Sequence, residues 1–202
     1  MHELIDCGGN KFWLIYIYYM HIAIDDTYGP NVETGSKYVT GDRRTHVAVL
    51  FPDDKVEEIN SEMSACLSEI CSLYDISVSE FHFVDIYNRN SPWDILSDGA
   101  NLRLFELFSV IYQKYKWEVV IQTVDDRTMK DLGILKIQGQ IGGLDLSRRA
   151  DFSLLMLLIK IKKIYKNNSF PINFLVDEGV KKSGAIFGCE VFHDWPHQVS
   201  GV

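Results

Sequence analysis

The sequence predicts an α/β fold in which an antiparallel hairpin is followed by parallel strands, with helices flanking a mixed sheet. Three observations predict it. Stretches with a helical apolar period recur at 53–75, 99–117 and 145–167. Short runs rich in β-branched and aromatic residues lie between them. After an initial antiparallel piece the two kinds alternate, and helical crossovers of this length suit parallel neighbours.

The elements follow in chain order. "FWLIYIYYMHIAI", Phe12 to Ile24, is shorter than the roughly 20 apolar residues of a membrane span and contains His21. No basic segment precedes it and no small-residue cleavage site follows, so it reads as a buried strand rather than a signal peptide. "YVTGDRRTHVAVLF" carries a turn signal at Gly41-Asp42 between apolar segments and reads as a hairpin. From Asp53 to Asp75, Val56, Ile59, Met63, Leu67, Ile70 and Leu73 fall three and four apart and form one helical face. "VSEFHFVDI" reads as a strand. The second helix presents Leu104, Leu107, Phe108, Ile111 and Tyr115. "EVVIQTV" and "INFLV" read as strands on either side of the third helix, which is apolar almost all round and therefore deeply packed.

Size and composition fit one domain spanning 1–202. At 202 residues, with 47% hydrophobic and 24% charged residues, the chain can bury a sizeable core without disulfides. Cys7, Cys66, Cys71 and Cys189 form no C-x-x-C pair, which excludes a zinc ribbon or thioredoxin-type motif and indicates reduced thiols in a cytoplasmic protein. Cys189, His193 and His197 are four apart, but Pro196 breaks the helix a zinc site would need. A net charge of −8 argues against a protein that coats nucleic acid generally. It leaves room for an enzyme with a local basic groove and an acidic metal site.

Four strand candidates end in acid: the first at Asp25-Asp26, then Asp85, Asp125-Asp126 and Asp177-Glu178. Asp is common in turns, which accounts for any one of them. Parallel strands would gather all four along one edge, where α/β sheets build their sites. Two carboxylates about 4 Å apart repel by roughly 4 kcal/mol at an effective dielectric of 20. A cluster would therefore hold a cation, and oxygen-only ligands select Mg²⁺ or Mn²⁺. Paired ions of this kind clamp in-line displacement at phosphate. Arg43, Arg44, Arg127, Arg148, Arg149 and the lysines of 160–182 are candidate phosphate contacts, with a solvated helix face the alternative for the lysines. Arg127 is the base nearest the acidic edge in sequence. On a strand, His82 and Asp85 would face opposite sides.

"IAIDDTYG" resembles the N-terminal signature of the prokaryotic family called domain of unknown function 3800. "EFHFVDI" and "NFLVDEG" are similar to its later acidic strand segments. The resemblance implies a ribonuclease H-like fold and metal-dependent cleavage or transfer of nucleic-acid phosphodiesters. It puts the family's first acid on Asp25 and its second on Asp26, where Asp replaces Glu. The family's C-terminal Gln-x-x-D has no counterpart, because Gln198 is followed three residues later by Gly201. The expectation is thus a domain cut short at its C-terminus, or one that never carried the motif.

The expected function is a nuclease-like hydrolase using Mg²⁺ or Mn²⁺. Asp25, Asp85 and Asp177 are its ligands, Asp26 and Glu178 support them, and Asp125 stands in reserve. Arg127, Arg148 and Arg149 contact nucleic acid. The alternative is a non-catalytic interaction module of the same fold in a defence or mobile-element system, with a protein partner or a second copy of itself. The missing C-terminal acid and the Asp26 replacement favour that alternative.

Overall fold

The computed structural model describes residues 2–7, 10–15, 20–29, 43–134, 140–141, 144–165, 172–176 and 197–201. In chain order the elements begin with β1 (His2–Cys7), β2 (Asn10–Ile15), β3 (Met20–Gly29) and β4 (Arg43–Pro52). Then come α1 (Asp53–Tyr74), α2 (Phe83–Asn88), a short 3₁₀ turn at Trp93–Ile95 and α3 (Ala100–Tyr115). The chain continues through β5 (Glu118–Val124), α4 (Asp126–Asp131), β6 (Gln140–Ile141), β7 (Leu144–Asp145), α5 (Arg149–Ile164), β8 (Ile172–Val176) and β9 (His197–Gly201). Two compact units result: Met1–Asp53 with Glu118–Val202, and Asp54–Trp117.

The first unit is mixed α/β. Its five-stranded sheet has the order β5-β4-β3-β8-β9. β4 is antiparallel to both β3 and β5, whereas β8 runs parallel to β3 and β9 parallel to β8. β3 is therefore the central strand. Side chains alternate across it, so Ile22 and Ile24 share one face with Ala48 and Leu50 of β4, Val120 and Val124 of β5, and Ile172, Phe174 and Val176 of β8. α5 covers that face with Phe152, Leu154, Leu155, Leu157, Leu158 and Ile161. Seven of the eight positions from 151 to 158 are buried, as the apolar pattern of this segment predicts. On the other face of β3, the His21 Nε2–H donates to Asp53 at 2.9 Å, while Asn173 donates to Nδ1 at 3.3 Å.

The second unit is helical. Ile70 of α1, Ile86 of α2, Trp93, Leu96, and Ala100 and Leu104 of α3 form its core. Phe81 meets Phe108 edge-on at 4.9 Å between ring centres, and Phe83 meets Phe108 at 4.7 Å. Lys114 of α3 donates to Glu62 of α1 at 2.6 Å, which ties the two long helices at the surface. Among the described residues no helix is long and apolar enough to cross a membrane.

Three sequence expectations need correction. The apolar run from Phe12 to Ile24 falls on two strands of different sheets, with residues 16–19 outside the described residues. β2 ends at Ile15 and pairs antiparallel with β1, and β3 starts at Met20. An unbroken apolar run carries no polar signal to mark such a division. β5 is not parallel to its neighbour, because it completes an antiparallel meander with β4. "VSEFHFVDI" is not a strand either. Phe83, Ile86 and Tyr87 stand three and four apart, and Phe83–Asn88 forms α2 with Ile86 fully buried. The Gly41-Asp42 turn lies outside the described residues, although β3 and β4 do pair antiparallel.

Truncating Leu158, which is fully buried beneath the sheet, to Ala should cost about 2–5 kcal/mol. Leu73→Ala should change stability by less than about 0.5 kcal/mol, because Leu73 is 72% exposed despite its place in the periodic pattern of α1. Urea unfolding of the two variants checks both.

Candidate functional site at the carboxyl edge of the sheet

The strand directions bring the carboxyl ends of β3, β5 and β8 to one edge. β3 and β5 both run against β4, and β8 runs with β3. From β3 the chain moves outward through β4 to β5, then returns on the other side as β8 and β9. The order thus reverses between β3 and β8. In open α/β sheets, ligand crevices lie outside the carboxyl ends of strands at such a reversal.

Asp25 and Asp26 lie just past the last β3–β8 pair, Ile24 with Val176, on opposite faces of β3, which runs on to Gly29 against β4. Asp25 is exposed, and its Oδ1 accepts from the Asp26 backbone N–H at 2.8 Å. Asp26 shares the α5 face with Ile24 and accepts from Arg44 Nη1 at 2.8 Å. At the end of β5, Asp125 caps α4 by accepting from the Thr128 N–H and from its hydroxyl, both at 2.7 Å. Asp126 pairs with Arg149 at the start of α5. Arg127 pairs with Asp131 at 3.3 Å, and Arg148 lies 3.8 Å from Asp151.

A buried polar group sits behind these pairs. His46 lies opposite Asp26 in the β3–β4 register and is 3% exposed. Its Nδ1 is 3.0 Å from the Ser153 hydroxyl, which is 3.1 Å from the Gln122 carbonyl. Carbonyls can only accept, so the hydroxyl donates to Gln122, or to the Arg44 carbonyl 3.4 Å away, and accepts a hydrogen bond from His46 Nδ1–H. In the neutral ring this arrangement puts the hydrogen on Nδ1. Burial pushes the His46 pKa down, and Arg44 adds to this, while Asp26, Asp151 and Asp25 pull it up. Asp151, in the first turn of α5, accepts from the Asp145 N–H at 2.9 Å and suits the positive end of the helix.

The edge therefore unites Asp25, Asp26, Asp125 and Asp126 with Arg44, Arg127, Arg148 and Arg149. Asp85 is not among the sheet's strand ends. It belongs to α2 in the helical unit, where His82 Nδ1 bonds one carboxylate oxygen and Asn90 donates to the other at 2.8 Å. Those contacts, Asn90 foremost, lower its pKa. His82 and Asp85 face each other because they stand three apart across a helix N-terminus, not on a strand. Asp177, Glu178, Cys189 and His193 lie outside the described residues. Among the described residues, no group of three His, Cys, Asp or Glu is placed to hold a metal ion.

Sequence reasoning passed over His46, Asp151 and Ser153. A signal for His46 was present: it stands in phase with Ala48 and Leu50, two and four residues on, and so belongs to the buried face. Ser153 and Asp151 carried none, since their partners lie on β4 and β7. Comparison with family models, curated proteins and solved structures gives no match to this chain.

The two histidines should titrate on opposite sides of the ordinary imidazole value of about 6.5. His46 should titrate below it because of burial, and His82 above it because of its bond to Asp85. Ring-proton NMR checks this. With the folded pKa of His46 depressed, the unfolded chain binds more protons in the window beneath about 6.5. The His46 contribution to stability is thus full above that value and is lost as pH falls through the window. His46→Asn should flatten this part of the urea-midpoint profile.

Proposed function

We propose that this chain is a metal-dependent phosphodiester hydrolase of the ribonuclease H-like type, acting on nucleic acid at the carboxyl edge of β3. One observation carries the reading. Asp25 lies exposed on the central strand, one residue past the last β3–β8 pair, where strand order reverses. The sheet order also supports it, with a three-stranded antiparallel meander followed by two strands parallel to β3. The expectation of parallel strands after an antiparallel hairpin holds for β8 and β9 and fails for β5.

Asp25 is a hard oxygen donor that suits Mg²⁺ or Mn²⁺. One of its oxygens is bound by a backbone amide, and Asp26 is bound by Arg44. Further donors are required, and Asp177 with Glu178 are assigned here. They follow Val176 directly, and Val176 is the register partner of Ile24, the residue before Asp25. Bound at this edge, such an ion supplies an activated water and charge stabilisation at phosphorus. The chain's own residues do the rest. Asp25 and Asp177 hold the ion, Glu178 supports them, and Asp26 orients Arg44. Arg127, Arg148 and Arg149 position the phosphate backbone without reading its sequence.

A second reading has its own observation. Asp26, Asp125 and Asp126 each have an internal partner already. An edge so satisfied also fits a non-catalytic interaction module that binds a protein or a second copy of the chain.

Calorimetry with Mn²⁺ on the wild-type chain and on Asp25→Asn decides between them. The asparagine keeps an oxygen for the Asp26 amide, so the fold should survive with an unchanged urea midpoint. The expected result is wild-type binding weakened at least about tenfold in the variant, the size of one lost charged contact. No wild-type binding at millimolar metal would favour the interaction module.

A further inference from the structure

We propose that Arg44 and Arg149 are a pair of phosphate grips held in reserve by Asp26 and Asp126, and that a nucleic-acid backbone binds by taking both guanidinium groups from their aspartates. This rests on reading the β3 edge as a nucleic-acid site, and it gives Arg44 and Asp26 roles of their own there.

The two pairs are built alike from different elements. Arg44 on β4 bonds Asp26 on β3, and Arg149 at the start of α5 bonds Asp126 at the start of α4. Both are open to water. Side-chain exposure is 34% and 31% for Arg44 and Asp26, and 32% and 53% for Arg149 and Asp126. Neither pair is required to hold its elements together. β3 and β4 share a ten-residue register, and α5 is anchored by its buried apolar face. Ion pairs with this much solvent contact are weak and exchangeable.

A guanidinium presents a planar fork that matches a phosphate as well as it matches a carboxylate. The phosphate and the aspartate therefore compete for the same N–H groups. A partly buried arginine also needs an anion beside it when no ligand is bound. The aspartate supplies that anion. The occupant is a chain of phosphates rather than one phosphate, because the grips come from two separate pairs.

The competition gives a signature that general surface charge does not. Removing an aspartate should strengthen polyanion binding only while its own arginine is present. Nonspecific electrostatics would give the same gain in either background.

The test is fluorescence anisotropy with a short fluorescein-labelled single-stranded DNA, at low salt and in chelator, so that no metal contributes. Arg44→Gln and Arg149→Gln should each weaken binding about tenfold, the size of a charged hydrogen bond. Asp26→Asn and Asp126→Asn should each tighten it about threefold, the size of a partly exposed ion pair. Asp26→Asn placed on Arg44→Gln should give no gain. Urea midpoints of all variants confirm that they are folded.

Equal gains from Asp26→Asn with and without Arg44, or no binding by wild type and both Asp→Asn variants, would overturn the proposal. So would displacement of the DNA by equimolar inorganic phosphate, which would reassign the grips to a single small anion. Because the assay is metal-free, its failure leaves the Mn²⁺ result at Asp25 standing, and loss of Mn²⁺ binding leaves this result standing.

Discussion

The geometry of this molecule's first unit depends on the burial of α5 against one face of the β3-centred sheet. Ile22 and Ile24 of β3, Ala48 and Leu50 of β4, and Ile172, Phe174 and Val176 of β8 all point at that helix. A strand's side chains alternate, so a slip of one residue would expose this whole set. The apolar seal therefore determines more than stability. It forces Asp26, in phase with Ile24, onto the α5 face, and it forces Arg44 and His46, in phase with Ala48, onto the same face one strand over. The Asp26–Arg44 ion pair and the His46–Ser153 bond follow from that register. Asp25 is sent to the opposite side for the same reason, which is why two adjacent aspartates have such different surroundings.

The distribution of charge fits a site at that edge better than the total does. The net charge of −8 suggests an acidic protein throughout. Yet residues 54–117 contain eleven acids and five bases, leaving seventeen acids and fifteen bases for the rest. The sheet-bearing unit is thus nearly balanced, and its arginines at 43–44, 127 and 148–149 lie at strand and helix starts near the carboxyl edge. Steering of an anionic ligand depends on the local field around a site, not on the charge of the whole chain.

The sequence made the framework legible and the site only partly so. α1, α3, α5, β5 and β8 stand close to where period and propensity place them, because each has a long apolar face or a compact β-branched run. The acid pair was also placed on the central strand, but the strand does not end there: β3 runs on to Gly29. What failed were short segments whose type is decided by distant partners. "EFHFVDI" has both an aromatic alternation and a three-four spacing, and burial of Ile86 beside Trp93 settled it as helix. That one misreading carried Asp85 to the sheet. The partners of Asp26 and Asp126 were invisible for a different reason. Arg44 and Arg149 are eighteen and twenty-three residues away from them, and no local pattern announces such a pairing.

Those partners change what an acidic strand end means. Read from sequence, Asp25, Asp26, Asp125 and Asp126 are four negative charges that repel unless a cation joins them. In the folded chain the repulsion is already relieved from within. Arg44 and Arg149 neutralise two of them, a backbone amide solvates the third, and the fourth caps a helix. Acid clustering by itself therefore gives no thermodynamic demand for a metal here. A phosphate that takes Arg44 or Arg149 must displace an existing contact, and its affinity is reduced by the strength of that contact. The same exchange makes the edge selective. A ligand that carries phosphates for the arginines leaves the carboxylates uncompensated, which raises the affinity of the edge for a divalent ion. By linkage, the ion raises its affinity for the phosphates by the same factor. On the reading proposed above, the edge would favour the two ligands together over either one alone.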